Sequence, residues 1–191
     1  MKRAAAIVIG ASAGGVEALM PLLARLTPRC PPVLVVLHLP RDRPSMLASI
    51  FGRASAVPVV DAIDKMPLEP GTVVCAAPDY HLLVDRGPRV ALSIDEPILF
   101  SRPAVDVLFE SAADLYGPAL LAIVLTGGNE DGAAGAGSVA RAGGTVVVQD
   151  PGTARAPEMP SATLARAPSA RVLDLAAIGA LLQDIEFEDI R

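Results

Sequence analysis

With 191 residues, 52% hydrophobic and 19% charged, the chain holds enough apolar material for a substantial core, which excludes a disordered polymer and fits one domain over 1–191. Its formal net charge of −5 is not gathered into long runs of one sign, so no basic stripe marks it as a nucleic-acid binder. No stretch approaches the roughly 18 to 20 apolar residues of a membrane span, and Cys30 and Cys75, the only cysteines, read as buried free thiols in a reducing, cytoplasmic setting.

The chain opens on Lys2-Arg3, an apolar run and Ala11-Ser12-Ala13, which imitates a secretory signal peptide. That run is short and stops at Gly10. It reads instead as a first strand, Ala6–Ile9, followed by a glycine-rich turn and a helix over Gly15–Leu26. A strand at Val33–Leu37 leads into His38-Leu39-Pro40, and a helix at Ser45–Arg53 precedes strands at Val57–Val60 and Thr72–Ala76. His81–Asp85 and Arg89–Ser93 flank Arg86-Gly87-Pro88 and suit an antiparallel edge hairpin. Beyond it lie a helix at Ala104–Tyr116, a strand at Leu120–Leu125, a helix at Gly132–Ala142, a strand at Thr145–Gln149, and helices at Ser161–Ala167 and Leu175–Ile185. Alternating strands and helices predict an α/β fold: a doubly wound, mostly parallel sheet with helices on both faces.

In such sheets the ligand crevice lies beyond the carboxyl ends of the strands. Strand one delivers Gly10 to Gly14, which spell G-x-S-x-G, a spacing that seats a serine on a sharp strand-to-helix turn. The following helix aims free amides and its positive dipole end at the same spot, where an oxyanion could be held. Ser12 is thus a candidate nucleophile, and a plain helix cap is the competing reading. A serine needs a base, and the chain has two histidines. His38 sits on the same rim as Ser12, whereas His81 opens the hairpin and reads as structural. An acid to orient the imidazole is offered by Asp131, which could equally cap the helix that follows; Asp150 is its main rival, and Asp106 and Asp79 are less well placed. A dinucleotide fingerprint fails, because Ser12 and His38 occupy the positions where a glycine and an acid belong. No cofactor is expected, and no His, Cys and carboxylate cluster has metal-ligand spacing.

With these residues in view, the sequence resembles the catalytic domain of the CheB-type chemotaxis receptor methylesterases, from about Ala6 to Leu182. The motifs that carry the resemblance are Ile9-Gly10-Ala11-Ser12-Ala13-Gly14-Gly15, His38-Leu39-Pro40, Ala77-Pro78-Asp79-Tyr80-His81-Leu82, Arg102-Pro103-Ala104-Val105-Asp106-Val107-Leu108-Phe109, Leu125-Thr126-Gly127, Asp131-Gly132-Ala133-Ala134-Gly135, Gln149-Asp150 and Met159-Pro160. The resemblance implies a Ser–His–Asp triad of Ser12, His38 and Asp131, with amides around Ala13, Gly14 and Gly128 on the oxyanion side. Its chain order, serine then histidine then acid, differs from that of α/β-hydrolases, chymotrypsin and subtilisin.

The implied reaction is hydrolysis of glutamyl methyl esters on the cytoplasmic domain of chemoreceptors, with deamidation of receptor glutamines as a second use of the same acyl chemistry. The expected geometry sets Ser12 Oγ at His38 Nε2 and Asp131 at Nδ1. The sequence also departs from the family pattern. Gly128-Asn129 stand where it has Met-Gly, and Glu158 stands where a glycine precedes Met-Pro. Regulated members carry an amino-terminal phospho-receiver domain, so the expectation here is a free-standing domain, open to control by a separate protein, with a piece of a longer protein as the alternative. The competing functions are a non-catalytic signalling or binding module on the same fold and an esterase for small-molecule esters.

Overall fold

The computed structural model describes residues 3–38 and 45–189; Lys2 of the signal-like start and Leu39-Pro40 of the histidine motif lie outside them. In chain order the strands are β1 (Arg3–Ala4), β2 (Ala6–Ala11), β3 (Val33–Leu37), β4 (Val59–Asp61), β5 (Val73–Cys75), β6 (His81–Asp85), β7 (Arg89–Ser93), β8 (Leu120–Val124), β9 (Thr145–Gln149), β10 (Arg171–Leu173) and β11 (Glu186–Phe187). The helices are α1 (Gly15–Leu23), α2 (Leu47–Gly52), α3 (Val105–Tyr116), α4 (Ala133–Arg141), α5 (Glu158–Arg166) and α6 (Leu175–Asp184).

Seven strands form one parallel sheet in the order β10-β9-β8-β2-β3-β5-β4. β2, β3 and β8 are buried along their whole length, as strands covered on both faces must be. Because side chains alternate along a strand, the sheet feeds two cores. Val8, Val36, Val74, Val124 and Val148 pack with Phe109, Val139 and Met159 under α3, α4 and α5. Ile7, Ile9, Val35 and Ile123 pack with Leu19, Leu22, Phe51 and Ile178 under α1, α2 and α6. Buried Cys75 faces the second core, where burial pushes its thiol up to about 12; Cys30 is raised for the same reason, so neither thiol is a nucleophile at neutral pH.

Three departures from the sequence reading have physical causes. β2 runs on through Gly10 and Ala11, past the expected end at Ile9, because β3 pairs with both residues and β8 pairs with Gly10. The hairpin of β6 and β7 is antiparallel as expected, yet it forms its own two-stranded sheet while β4 and β10 are the edges of the parallel one. Its apolar side, Leu82, Val84 and Val90, is buried with Leu108 and Ala112 of α3, and the Val84 amide donates to Ser111 Oγ. Finally, α5 starts at Glu158, not Ser161, since Pro160 falls in its first turn, where a missing N–H costs nothing.

Gly10 has a packing role. A Cβ there would lie 2.3 Å from Val105 Cγ1, at the first residue of α3. Gly10→Ala should therefore force β2 and α3 apart and lower stability by about 1–3 kcal/mol, read as a shift in the urea midpoint at unchanged slope.

Candidate active site

After β2 the chain crosses to β3 on one side, while β8 lies against β2 on the other, so the end of β2 is the switch point of the sheet. Ser12 stands there. Its amide donates to Thr126 O at 2.9 Å, and its own carbonyl accepts from the Gly15 amide at 2.8 Å, which closes the turn into α1. Gly14 takes a left-handed φ of 80°, and a Cβ on it would lie 2.9 Å from Arg155 Cβ. The N-cap of α1 is Gly14, with no side-chain cap bond, so the hydroxyl of half-buried Ser12 is not spent as a helix cap.

His38 follows β3, which pairs with β2 so that Leu37 faces Ala11, and the His38 amide donates to Ala11 O at 3.2 Å. Ser12 and His38 thus leave neighbouring strands at the same rim. The imidazole, 11% exposed, reaches inward and places Nε2 2.7 Å from Asp131 Oδ2.

Asp131 is fully buried and accepts two further bonds, from the Val105 amide to Oδ2 at 2.7 Å and from the Asp106 amide to Oδ1 at 2.9 Å. These amides open α3, so the carboxylate sits on the positive end of that helix dipole. It caps α3, from which it is distant in sequence, and not α4, whose N-cap Gly132 has no side-chain cap bond. With three N–H groups converging on it, Asp131 is an acceptor only, so the proton between it and His38 rides on Nε2.

That corrects the expected ring orientation. Asp131 meets Nε2, the nitrogen far from the backbone, because it lies at depth at the start of α3. Nδ1 is left as the ring nitrogen that Asp131 does not engage. Among the described residues no hydrogen bond joins Ser12 Oγ to His38, though the two stand on one rim. Of the other acids, Asp150 accepts from the Gly152 amide within its own turn, and Asp79 is paired with Arg102 at 2.8 Å. His81 is buried. Its Nδ1 accepts from the Ala104 amide and its Nε2–H donates to Glu96 O, both at 3.2 Å, which fixes it as a neutral structural residue at the approach to α3.

Among the described residues the amides of Ala13, Gly14 and Gly128 donate to no protein group, which leaves them available to a developing negative charge. No group of three or more His, Cys, Asp or Glu among the described residues is placed to hold a metal, and no helix is long and apolar enough to cross a membrane.

Comparison with known proteins shows the family. The family model described as CheB methylesterase matches residues 7–182. The chain belongs to the CheB methylesterase family. It is 44% identical over 176 residues to a protein-glutamate methylesterase/protein-glutamine glutaminase of Nocardioides, covering 91% of this chain and 48% of that protein. It is 37% identical over 177 residues to a putative protein of the same description from Leptospira interrogans, covering 92% of each. The crystal structure of the Thermotoga maritima CheB methylesterase catalytic domain superposes with a TM-score of 0.89 at 32% identity, covering 95% of this chain and 98% of that one. The chain therefore spans about half the length of the Nocardioides relative and nearly all of the Leptospira one.

Against the CheB pattern, the departures before Asp131 are accommodated locally. A Cβ on Gly128 would meet nothing within 4 Å, so the position faces open space, and Asn129 Oδ1 accepts from the Asp131 amide at 3.2 Å and orders the turn itself. Glu158 is exposed in the first turn of α5, where an acid suits the helix dipole. Sequence reasoning missed Thr126 and Gln149 as supports. Thr126 Oγ1 donates to Ala13 O and accepts from the Ala156 amide, while its own amide donates to buried Gln149 Oε1. Their sequence signals were that both end strands on the Ser12 rim and that both stand in motifs of the resemblance, Leu125-Thr126-Gly127 and Gln149-Asp150.

Proposed function

We propose that this chain is a protein-glutamate methylesterase acting on the cytoplasmic domain of chemoreceptors, with Ser12 as nucleophile, His38 as general base and Asp131 as the acid that orients it. The observation that carries the reading is the 2.7 Å bond from His38 Nε2 to a fully buried Asp131, one strand away from a serine on a glycine turn. His38 Nδ1 takes the Ser12 proton as Oγ attacks the ester carbonyl; serine-to-base contacts of this kind tighten in the substrate complex. Asp131 stabilises the imidazolium, and the amides of Ala13, Gly14 and Gly128 receive the oxyanion. The imidazolium returns its proton to the departing methoxide, releasing methanol, and water activated by the same base hydrolyses the acyl-enzyme to glutamate. A receptor glutamine enters the same cycle with ammonia as leaving group. The setting is cytoplasmic.

The test is methanol release from a methylated receptor fragment. Release above an inactive variant supports the reading. No release points to a binding module on the same fold, and equal turnover of simple methyl esters points to a small-molecule esterase. Within this scheme His38→Ala should remove most turnover from a folded protein. His81→Ala should instead lower stability by about 1–3 kcal/mol, since the Ala104 amide and Glu96 carbonyl lose their partner, with a much smaller change in kcat. Urea midpoints measured beside methanol release separate the two.

A further inference from the structure

This inference rests on the esterase reading and concerns a residue outside the triad. Two helices begin at the site, and each receives a carboxylate from the segment that opens the other. Asp131, just before α4, takes the Val105 and Asp106 amides of α3. Asp106, in the first turn of α3, takes the Gly135 amide in the first turn of α4 at 2.7 Å. Neither N-cap, Ala104 or Gly132, supplies a side-chain bond of its own. The two starts are also in backbone contact. A Cβ on Gly135 would lie 3.0 Å from Asp106 O and 3.1 Å from its Cα, and one on Gly132 would lie 2.7 Å from Val105 Cγ1.

We propose that Asp106 is a positioning residue for the esterase reaction: by capping α4 from α3 it fixes the α3 amides that hold Asp131 against His38, without itself touching substrate. The amide of Asp106 is one of those that hold Asp131, so the side chain and main chain of one residue close the loop between the helices.

The arrangement is costly to the fold. Burial, then the charge of Asp131, push the Asp106 carboxyl up to about 6, against the pull of the Gly135 and Gly132 amides; Glu110 adds repulsion. Glu130 and Arg166 line the same cleft. Since the folded-state value lies above the unfolded one, the native state binds this proton more tightly, and the stability it contributes is lost as pH rises from about 4 to about 6. At neutral pH the protonated form of Asp106 is the minor one.

The test compares Asp106→Ala and Asp106→Asn in the full chain, by kcat and KM on a methylated receptor fragment and by the downfield proton resonance of His38 Nε2. The alanine variant should lose about tenfold in kcat with KM within about twofold, and its His38 resonance should broaden. Asparagine still offers Oδ1 to the Gly135 amide, so it should keep the resonance and recover kcat to within about threefold of wild type at pH 8. Because asparagine mimics the protonated acid, the wild-type to asparagine kcat ratio should fall to one below about pH 6. The proposal is overturned if alanine leaves kcat and the resonance as in wild type while lowering Tm, or if asparagine is as impaired as alanine. Should the alanine variant not fold, asparagine decides alone: a loss of about tenfold or more in kcat at pH 8 overturns the proposal, and kcat within about threefold with the resonance kept supports it. The resonance is read without substrate, so a wild-type protein that releases no methanol sinks the esterase reading while leaving the link between Asp106 and His38 open to measurement.

Discussion

Replacing Ser12 by alanine should take methanol release to background, a loss of roughly five to six orders of magnitude in kcat where the assay can follow it. The substitution removes only the attacking oxygen. Both backbone bonds of the residue, from its amide to Thr126 O and from the Gly15 amide to its carbonyl, are open to alanine, and α1 has no side-chain cap to lose. Stability should accordingly stay within about 0.5 kcal/mol of wild type, so the urea midpoint hardly moves while activity disappears. A variant that kept even a tenth of wild-type turnover would place the nucleophile elsewhere.

Asp131→Asn should combine a loss of about two to four orders of magnitude in kcat with a loss of stability. The carboxylate takes three N–H groups, His38 and Val105 on Oδ2 and Asp106 on Oδ1. An asparagine has one acceptor oxygen and an NH2, so in either orientation a donor faces a donor. With the oxygen at the Oδ1 position, the NH2 confronts both the Val105 amide and His38, which drives the imidazole into the other tautomer. With the amide turned over, the Asp106 amide is left buried and unpaired, at about 1–3 kcal/mol. Single-turnover rates together with urea unfolding check both parts. Near-normal turnover would remove Asp131 from the chemistry.

The rim was legible before any coordinates. Ser12, His38 and Thr126 each follow a run of apolar residues that only a buried parallel strand explains, and strand ends share one edge of such a sheet. Four features were not legible. The ring nitrogen that meets Asp131 depends on how deep α3 begins behind the sheet, which no local pattern encodes. The partners of Asp131 are main-chain amides 25 and 26 residues away, and amides carry no sequence signal. Asp106 reads from sequence as a less well placed rival to Asp131 for the orienting acid, and its actual partner, the amide of Gly135, lies 29 residues on. The short strands β1, β10 and β11, of two or three residues, are too brief for any period to show.

The bond between His38 and Asp131 joins residues 93 apart in sequence, across the switch point of the sheet. One half of the winding supplies the serine and the imidazole, and the other supplies the carboxylate and the helix that seats it. Neither half holds all three residues of the proposed triad, and parallel pairing between them carries a loop-closure cost that is met before it is rewarded. Catalytic competence is therefore a late event in folding: on refolding, secondary structure should return first, and ester cleavage only when the two halves have docked.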